Sequence, residues 1–219
     1  MKRWVDCRSR VCWAGAGLSQ ECGLLPEHFP RPRHWHEFWL EPETWRSHYR
    51  AWRDLIRKAP LSEVHNWLAR DPELKILTLN QDGLLQRAGC GQVLELHGST
   101  WDLRCHLCGD RVDLRGGAAE PEVCARCQGP LRPDVVWTGE ALPEERLALA
   151  QEWLGGCDGI LCVGLSGLTF PTRDLLQLAC RPGVLKWEVN PSETALSDCF
   201  EHHFRASAGQ VLGELLAGV

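Results

Sequence analysis

Seven side chains in this sequence have the types and the spacing to do chemistry. Four are thiols. Cys105 and Cys108 make one Cys-x-x-Cys pair, Cys124 and Cys127 a second, and 15 residues separate the two pairs. Two such knuckles place four sulfurs at tetrahedral corners around one metal ion, which is the spacing of a zinc ribbon. Gly109 and Gly129 follow the pairs and suit the tight turns that knuckles need. Four thiolates leave no coordination position for water, so the zinc is expected to be structural. The stretch between the pairs has few apolar residues and could hardly fold without the metal. Two disulfides or a redox pair are the alternatives; a cytosolic chain favours zinc.

The other three are Asn80, Asp82 and His97. Asn80 and Asp82 follow an apolar, strand-like segment at 75–79, and His97 follows another at 93–96. A glycine turn, Gly15-Ala16-Gly17, ends a third such segment at 11–14. Each feature has a plain structural reading. The glycine turn could merely connect strand to helix, Asn80 and Asp82 could cap a helix beginning near Leu84, and His97 could be a loop histidine. Together they describe one cleft, with a turn able to cradle a pyrophosphate and a titratable imidazole beside it.

The elements that must position these groups alternate. Strand-like runs at 11–14, 75–79, 93–96, 135–137, 160–163 and 184–189 are interleaved with helical patterns at 41–58, 61–70, 143–154, 172–180 and 208–217. This order predicts an α/β fold: a Rossmann-like parallel sheet whose polar groups gather at the strands' carboxyl ends, where open α/β sheets bind ligands. The cysteine segment interrupts that pattern and predicts a smaller lobe, made of a zinc ribbon and a helical insert. The expected organisation is a Rossmann-like domain from 1–30, 73–100 and 133–219, a cofactor-loop region and helical insert at 31–72, and the ribbon at 101–132.

Composition narrows the function classes. The chain has 219 residues, 44% of them hydrophobic, enough for a sizeable core. A formal net charge of −5 gives no support to a nucleic-acid-binding or basic membrane face. No apolar run is long enough to span a bilayer, and the N-terminus lacks the apolar segment of a secretory signal. Of the 12 cysteines, Cys12 and Cys162 lie in apolar runs and read as small buried hydrophobes. A reducing, cytoplasmic setting is the expectation.

In seven ordered stretches the sequence resembles the sirtuins, NAD-dependent protein deacylases. These are GAGLSQECG at 15–23 against the pattern GAGxSxxxG; TLNQDGLLQRAG at 78–89 against TQNIDxLHxxAG; LELHGS at 94–99; the two cysteine pairs; LRPDVVWTGE at 131–140; VGLS at 163–166; and EVNP at 188–191. The resemblance implies a protein-lysine deacylase, an acyltransferase that moves the acyl group to ADP-ribose and releases nicotinamide, with NAD as cosubstrate and zinc in the ribbon. It implies that Gly15, Ala16, Gly17 and Glu21 surround the NAD phosphates. Asn80, Gln81 and Asp82 line the nicotinamide pocket, Gly164 and Ser166 hold the adenosine side, and Asn190 meets the adenine ribose. His97 is implied as the general base, with Asn80 and Asp82 beside it in the catalytic set.

An acyl-lysine peptide is implied as partner, bound by strand addition along Val135, Val136, Trp137 and Gly139; no oligomeric state is implied. The sequence departs from the family at Leu24–Arg31, where Phe29 and Arg31 stand at shifted spacing for a Phe–Arg pair, and in a shortened cofactor loop. The helix at 41–58 resembles the branch of the family that holds acidic acyl groups with a Tyr-x-x-Arg pair: Tyr49 fits, Trp52 stands at the Arg position and Arg53 lies next to it; Tyr49, Trp52 and Ile56 also read as a core stripe. An NAD hydrolase or ADP-ribosyltransferase, and a catalytically weak zinc-bearing binding protein, are the alternative functions.

Overall fold

The computed structural model describes residues 3–30, 34–117 and 119–217, the last five of these as backbone. The chain runs β1 (Arg10–Ala14), α1 (Ala16–Gln20), α2 (Glu37–Leu40), α3 (Pro42–Lys58), α4 (Glu63–Leu68), β2 (Lys75–Thr78), α5 (Leu84–Arg87), β3 (Gln92–Glu95), β4 (Gly98–Cys105), β5 (Arg111–Asp113) and β6 (Leu131–Val135). It continues with α6 (Glu144–Gly156), β7 (Gly159–Val163), α7 (Thr172–Leu176), β8 (Leu185–Val189), β9 (His202–Phe204) and α8 (Ala208–Ala217). Among the described residues, no helix is long and apolar enough to cross a membrane.

Six strands form one parallel sheet in the order β3-β2-β1-β7-β8-β9. Both faces are covered, as a parallel sheet requires. Side chains alternate across β1: Val11 and Trp13 enter the core beneath α6 and α7, while Cys12 and Ala14 enter the opposite core with α1, α4, α5 and α8. The strand order reverses direction between β1 and β7. A crevice opens at the carboxyl ends of such neighbours because their connections leave to opposite faces.

The smaller lobe is an antiparallel sheet, β5-β4-β6, with the cysteine knuckles at one end and α2 and α3 packed alongside. The β4–β6 register runs Gly98 to Val135 and Ser99 to Asp134, then breaks before Leu103 to Pro133. That irregularity turns Thr100 and Trp101 toward the large sheet, where Thr100 N–H donates to Gln81 O and Trp101 Nε1 donates to Asp82 O. The lobe's sheet thus starts at Gly98 and ends at Val135. Pro42 opens α3 at a position that needs no N–H donor, and Arg46, Tyr49, Trp52, Arg53 and Ile56 form its buried stripe. The abundance of tryptophan has a structural use here: Trp35, Trp39, Trp45 and Trp137 pack with Phe38 and Tyr49 into one aromatic cluster that joins the helices to β6.

Candidate active site

The metal centre is the most compact polar group in the lobe. The Sγ atoms of Cys105, Cys108, Cys124 and Cys127 all lie within 4.8 Å of one another. Cys105 and Cys127 are 3.5 Å apart, Cys108 and Cys124 3.7 Å, and Cys108 and Cys127 3.4 Å. Tetrahedral zinc–sulfur bonds of about 2.3 Å put sulfurs roughly 3.8 Å apart, so the four thiols fit one zinc ion. Cys105, Cys108, Cys124 and Cys127 form no disulfide with one another, so the two-disulfide alternative is not what the structure shows. The backbone N–H of Gly109 closes on Cys105 O and that of Gln128 on Cys124 O, which builds the two knuckles; Gly109 takes a positive φ of 73° and Gln128 one of 60°. The knuckles need positive φ at those two places, and Gly129 serves differently: a Cβ there would meet Leu107 at 2.9 Å and Cys105 Sγ at 3.1 Å.

The cleft opens where β1 and β7 diverge and has a volume of about 1810 Å³. It gathers Gly15, Ala16, Gly17, Glu21, Asn80, Gln81, Asp82, His97, Gly164, Ser166 and Asn190 from five strand ends, together with Val136, Trp137 and Gly139 from the segment after β6. Val135, a residue earlier, is buried in β6 and packs into the aromatic cluster.

The glycine turn does something the sequence did not suggest. A Cβ on Gly15 would sit 2.4 Å from Gly164 O, and one on Gly17 would sit 2.7 Å from Gly164 Cα. Gly17 N–H donates to Gly164 O, and Gly15 N–H to Val163 O. The glycines therefore let two loops interlock at the sheet's switch point, and these N–H groups are spent within the protein. Gly164, at φ +60°, completes the interlock. Glu21 likewise anchors a helix: its carboxylate accepts from Gly209 N–H at 3.1 Å.

Ser19 organises the floor. Its hydroxyl donates to Asp82 Oδ2 at 2.6 Å and accepts from Asn80 Nδ2 at 2.9 Å, while Asn80 also donates to Gly15 O. Asp82 Oδ1 accepts the N–H of Leu84 at 2.9 Å, an Asx-type turn leading into α5, whose N-cap position is Gly83 and not Asp82. Burial pushes the Asp82 carboxyl above its usual range, against the pull of Ser19 and Leu84. Gln81 is buried, and its Oε1 has no hydrogen-bond partner. Asn190 Nδ2 donates to Leu165 O, and Leu168 N–H to Ser166 Oγ. The buried Glu188 carboxylate takes hydrogen bonds from Thr194, Ser197 and Arg205, fixing the loop beside Asn190 that lines the far end of the cleft.

His97 stands in the turn between β3 and β4. Burial lowers its pKa below the usual histidine value; a hydrogen bond to the Phe170 backbone opposes this, and Arg146 adds to it. The imidazole is thus neutral at pH 7 and able to accept a proton. Its carbonyl accepts Val136 N–H at 2.8 Å, and Trp35 N–H donates to Thr138 O.

Two candidate residues do not reach the cleft. Tyr49 is fully buried and accepts a hydrogen bond from Trp137 Nε1 at 2.7 Å. Arg53 is 3% exposed, paired with Glu120 and donating to Thr100 O. The core-stripe reading describes Tyr49, while Arg53 is a deeply buried guanidinium held by the carboxylate and carbonyl that surround it. Trp52 lines the cleft in their place, with Phe29 packed edge-on against it at 5.6 Å. Arg31 lies outside the described residues. Ser19 and Phe170 are cleft residues that the sequence reading does not assign, and Trp52 is one it reads as core; the fixed offset of Ser19 from the glycine turn is the signal available for the first.

The comparisons with known proteins agree with this geometry. Residues 26–171 match the model of the Sir2 family. An NAD-dependent protein deacylase of Aquifex aeolicus is 37% identical over 217 residues, 90% of each chain. One of Mycobacterium tuberculosis is 36% identical over 225 residues, 93% of this chain and 94% of the relative. A Sir2 homologue in complex with NAD superposes with a TM-score of 0.87 at 30% identity, over 97% of this chain and 90% of that one. A mutant Sir2 homologue in complex with 2′-O-acetyl ADP ribose gives 0.86 at 30% identity, over 98% and 92%. The chain belongs to the Sir2 family, the sirtuins, and has their Rossmann-like domain with a smaller metal-binding lobe.

Proposed function

We propose that this protein is an NAD-dependent protein-lysine deacylase. The observation that carries the reading is a half-buried imidazole, His97, whose pKa is held below the usual histidine value, in the same cleft as the Ser19–Asn80–Asp82 network at the sheet's switch point. NAD fits the donor set: the cleft is large enough for a dinucleotide, and Gln81 brings a buried, unpartnered amide oxygen to its floor. NAD, held by the residues of the cleft, would supply an electrophilic ribose carbon for the acyl amide oxygen and nicotinamide as the leaving group.

The chain's own residues do the rest. The Ser19 hydroxyl holds Asn80 and Asp82 in fixed orientation, which positions the floor before any ligand arrives. His97 accepts a proton from a sugar hydroxyl. The residues after β6 present the acyl-lysine peptide to that imidazole, since Val136 is hydrogen-bonded to His97 itself. Zinc, held by Cys105, Cys108, Cys124 and Cys127, supplies only structure, because four thiolates leave no open site.

The test incubates the protein with NAD, with and without acyl-lysine peptide, and follows nicotinamide and acyl-ADP-ribose by mass. Nicotinamide release that requires peptide and yields acyl-ADP-ribose is the expected result. Release without peptide would point to NAD hydrolysis or ADP-ribosyl transfer, and no release to a binding protein.

A further inference from the structure

Eight of the twelve cysteines stand outside the metal centre. Six of the eight are buried, and the two that solvent reaches, Cys180 and Cys199, are neighbours. They come from different elements. Cys180 follows the tight turn Gln177–Ala179 that ends α7, and Cys199 closes the turn Ser197–Cys199 in the connection from β8 to β9. Both pack against the same core cluster beneath α6 and α7. Gln177 fixes their relation: its carbonyl accepts the Cys180 N–H at 3.1 Å, and its Nε2 lies 3.9 Å from Cys199 Sγ. Two thiols brought together from separate elements at a half-buried seam are the starting material of a disulfide.

The seam bears on the cleft. Residues 190–195 line the cleft's far end, and Cys199 belongs to the same connection four residues on. On its solvent side that connection is docked onto α7 by Arg173, which donates to Ala195 O and pairs with Asp198, the residue beside Cys199. Both charged groups are exposed, and such a pair holds weakly. A covalent bond between Cys180 and Cys199 would fasten the same two elements at the same place.

We propose that Cys180 and Cys199 form a peroxide-responsive dithiol, which closes to a disulfide and staples the loop beside Asn190 to the end of α7. Burial, reinforced by the Cys180 thiol, pushes Cys199 up to about 12, so Cys199 keeps its proton and reacts second. The Cys180 sulfur attacks hydrogen peroxide: the O–O bond breaks, one oxygen stays on sulfur as a sulfenic acid, and the other leaves as water with the thiol proton. The Cys199 sulfur then displaces that hydroxyl. The S–S bond forms, the S–O bond breaks, and the second thiol proton leaves in a second water. Two thiols lose two electrons, and one peroxide is reduced to two waters.

The test treats the zinc-loaded full chain with hydrogen peroxide in small steps, alkylates the remaining thiols and maps tryptic peptides without reduction. The expected product joins peptide 174–186 to peptide 187–205 while a chromophoric chelator still finds the zinc bound. A sulfinic acid at Cys180 with no link, a link from either thiol to the buried Cys162 in peptide 147–173, or loss of zinc before the link forms would each overturn the proposal. The linked protein is expected to melt about 5 °C or more above the reduced one, because the bond closes a loop across 180–199 in the unfolded chain. A lower melting temperature would show that the bond does not fit the docked loop and would overturn the staple. In Cys199→Ser the first step has no second thiol to consume it, so dimedone should label Cys180; no label there would overturn the order of attack, and the wild-type map decides the link without this variant.

Discussion

The cysteine knot holds four sulfurs within 4.8 Å of one another, all converging on one point, while the cleft spreads its polar groups over the ends of five strands. The knot is contributed by 23 consecutive residues, Cys105 to Cys127, so its geometry is a local matter of two turns. The cleft is assembled from segments as distant as Ser19 and Asn190, and its geometry is a product of the whole sheet. A local site is satisfied by one ligand that completes it. A distributed site must first satisfy itself, and does so through Ser19, Asn80, Asp82 and the glycine interlock, keeping a few unpaired atoms for what it binds. Function divides accordingly: the closed site stabilises, and the open one reacts.

The largest test of this contrast removes the metal. Chelation, or Cys124→Ser, should unfold the small lobe and abolish activity, since structural zinc contributes on the order of 10 kcal/mol or more to such folds. Zinc content and circular dichroism would show it, and a metal-free protein with a native spectrum would break the comparison. Next comes His97→Ala, which should lower kcat/KM by roughly 10²–10⁴ while leaving the melting temperature nearly unchanged. In the wild type the acid limb of the rate profile should lie below 6.5, because burial favours neutral imidazole.

Glu95 gives a pH test near the cleft. Burial pushes its carboxyl up to about 8, despite Arg115 at 3.6 Å. A raised carboxyl stabilises the fold fully only below its unfolded value, and this contribution is lost as pH rises toward 8. Glu95→Gln, which resembles the neutral form, should match wild-type stability near pH 4.5 and exceed it by about 3–4 kcal/mol above pH 8, read from denaturant midpoints. Gly164→Ala should cost roughly 2–4 kcal/mol, combining a left-handed φ with a Cβ 2.8 Å from Gly17 Cα, and should weaken NAD binding. The smallest effect belongs to Gln81→Leu. Without ligand it should be neutral or stabilising by up to about 1 kcal/mol, because it removes an unpaired buried oxygen; a large loss would show that the amide has a structural partner.

Much of this molecule was legible in its sequence where short-range signals agree with the fold. Five of the predicted strands and the helix opened by Pro42 were readable because apolar runs and caps are local, whereas the run at 135–137 falls where β6 (Leu131–Val135) ends and the chain leaves the sheet. The strand ends that carry Asn80, Asp82 and His97 followed from the same runs. β4 was not, since the break in its register spoils the alternation that marks a strand, and β9 was not, since His202-His203-Phe204 is a short, polar edge. The diversion of Arg53 to Glu120 depends on a partner 67 residues away, and no spacing rule reaches that far. The interlock of Gly15 and Gly17 with Gly164 is hidden for the same reason, because a glycine's neighbour in space leaves no mark on the chain around it.

The hydrogen bond from Val136 to His97 has a mechanical consequence. The segment proposed to receive a peptide is hydrogen-bonded to the backbone carbonyl of the histidine proposed to act on it, and Gly98 pairs with Val135 directly beyond. A swing of the small lobe therefore has no pivot between base and peptide rail. Any opening has to bend elsewhere, and the catalytic spacing travels with the rail as one stiff hinge-leaf.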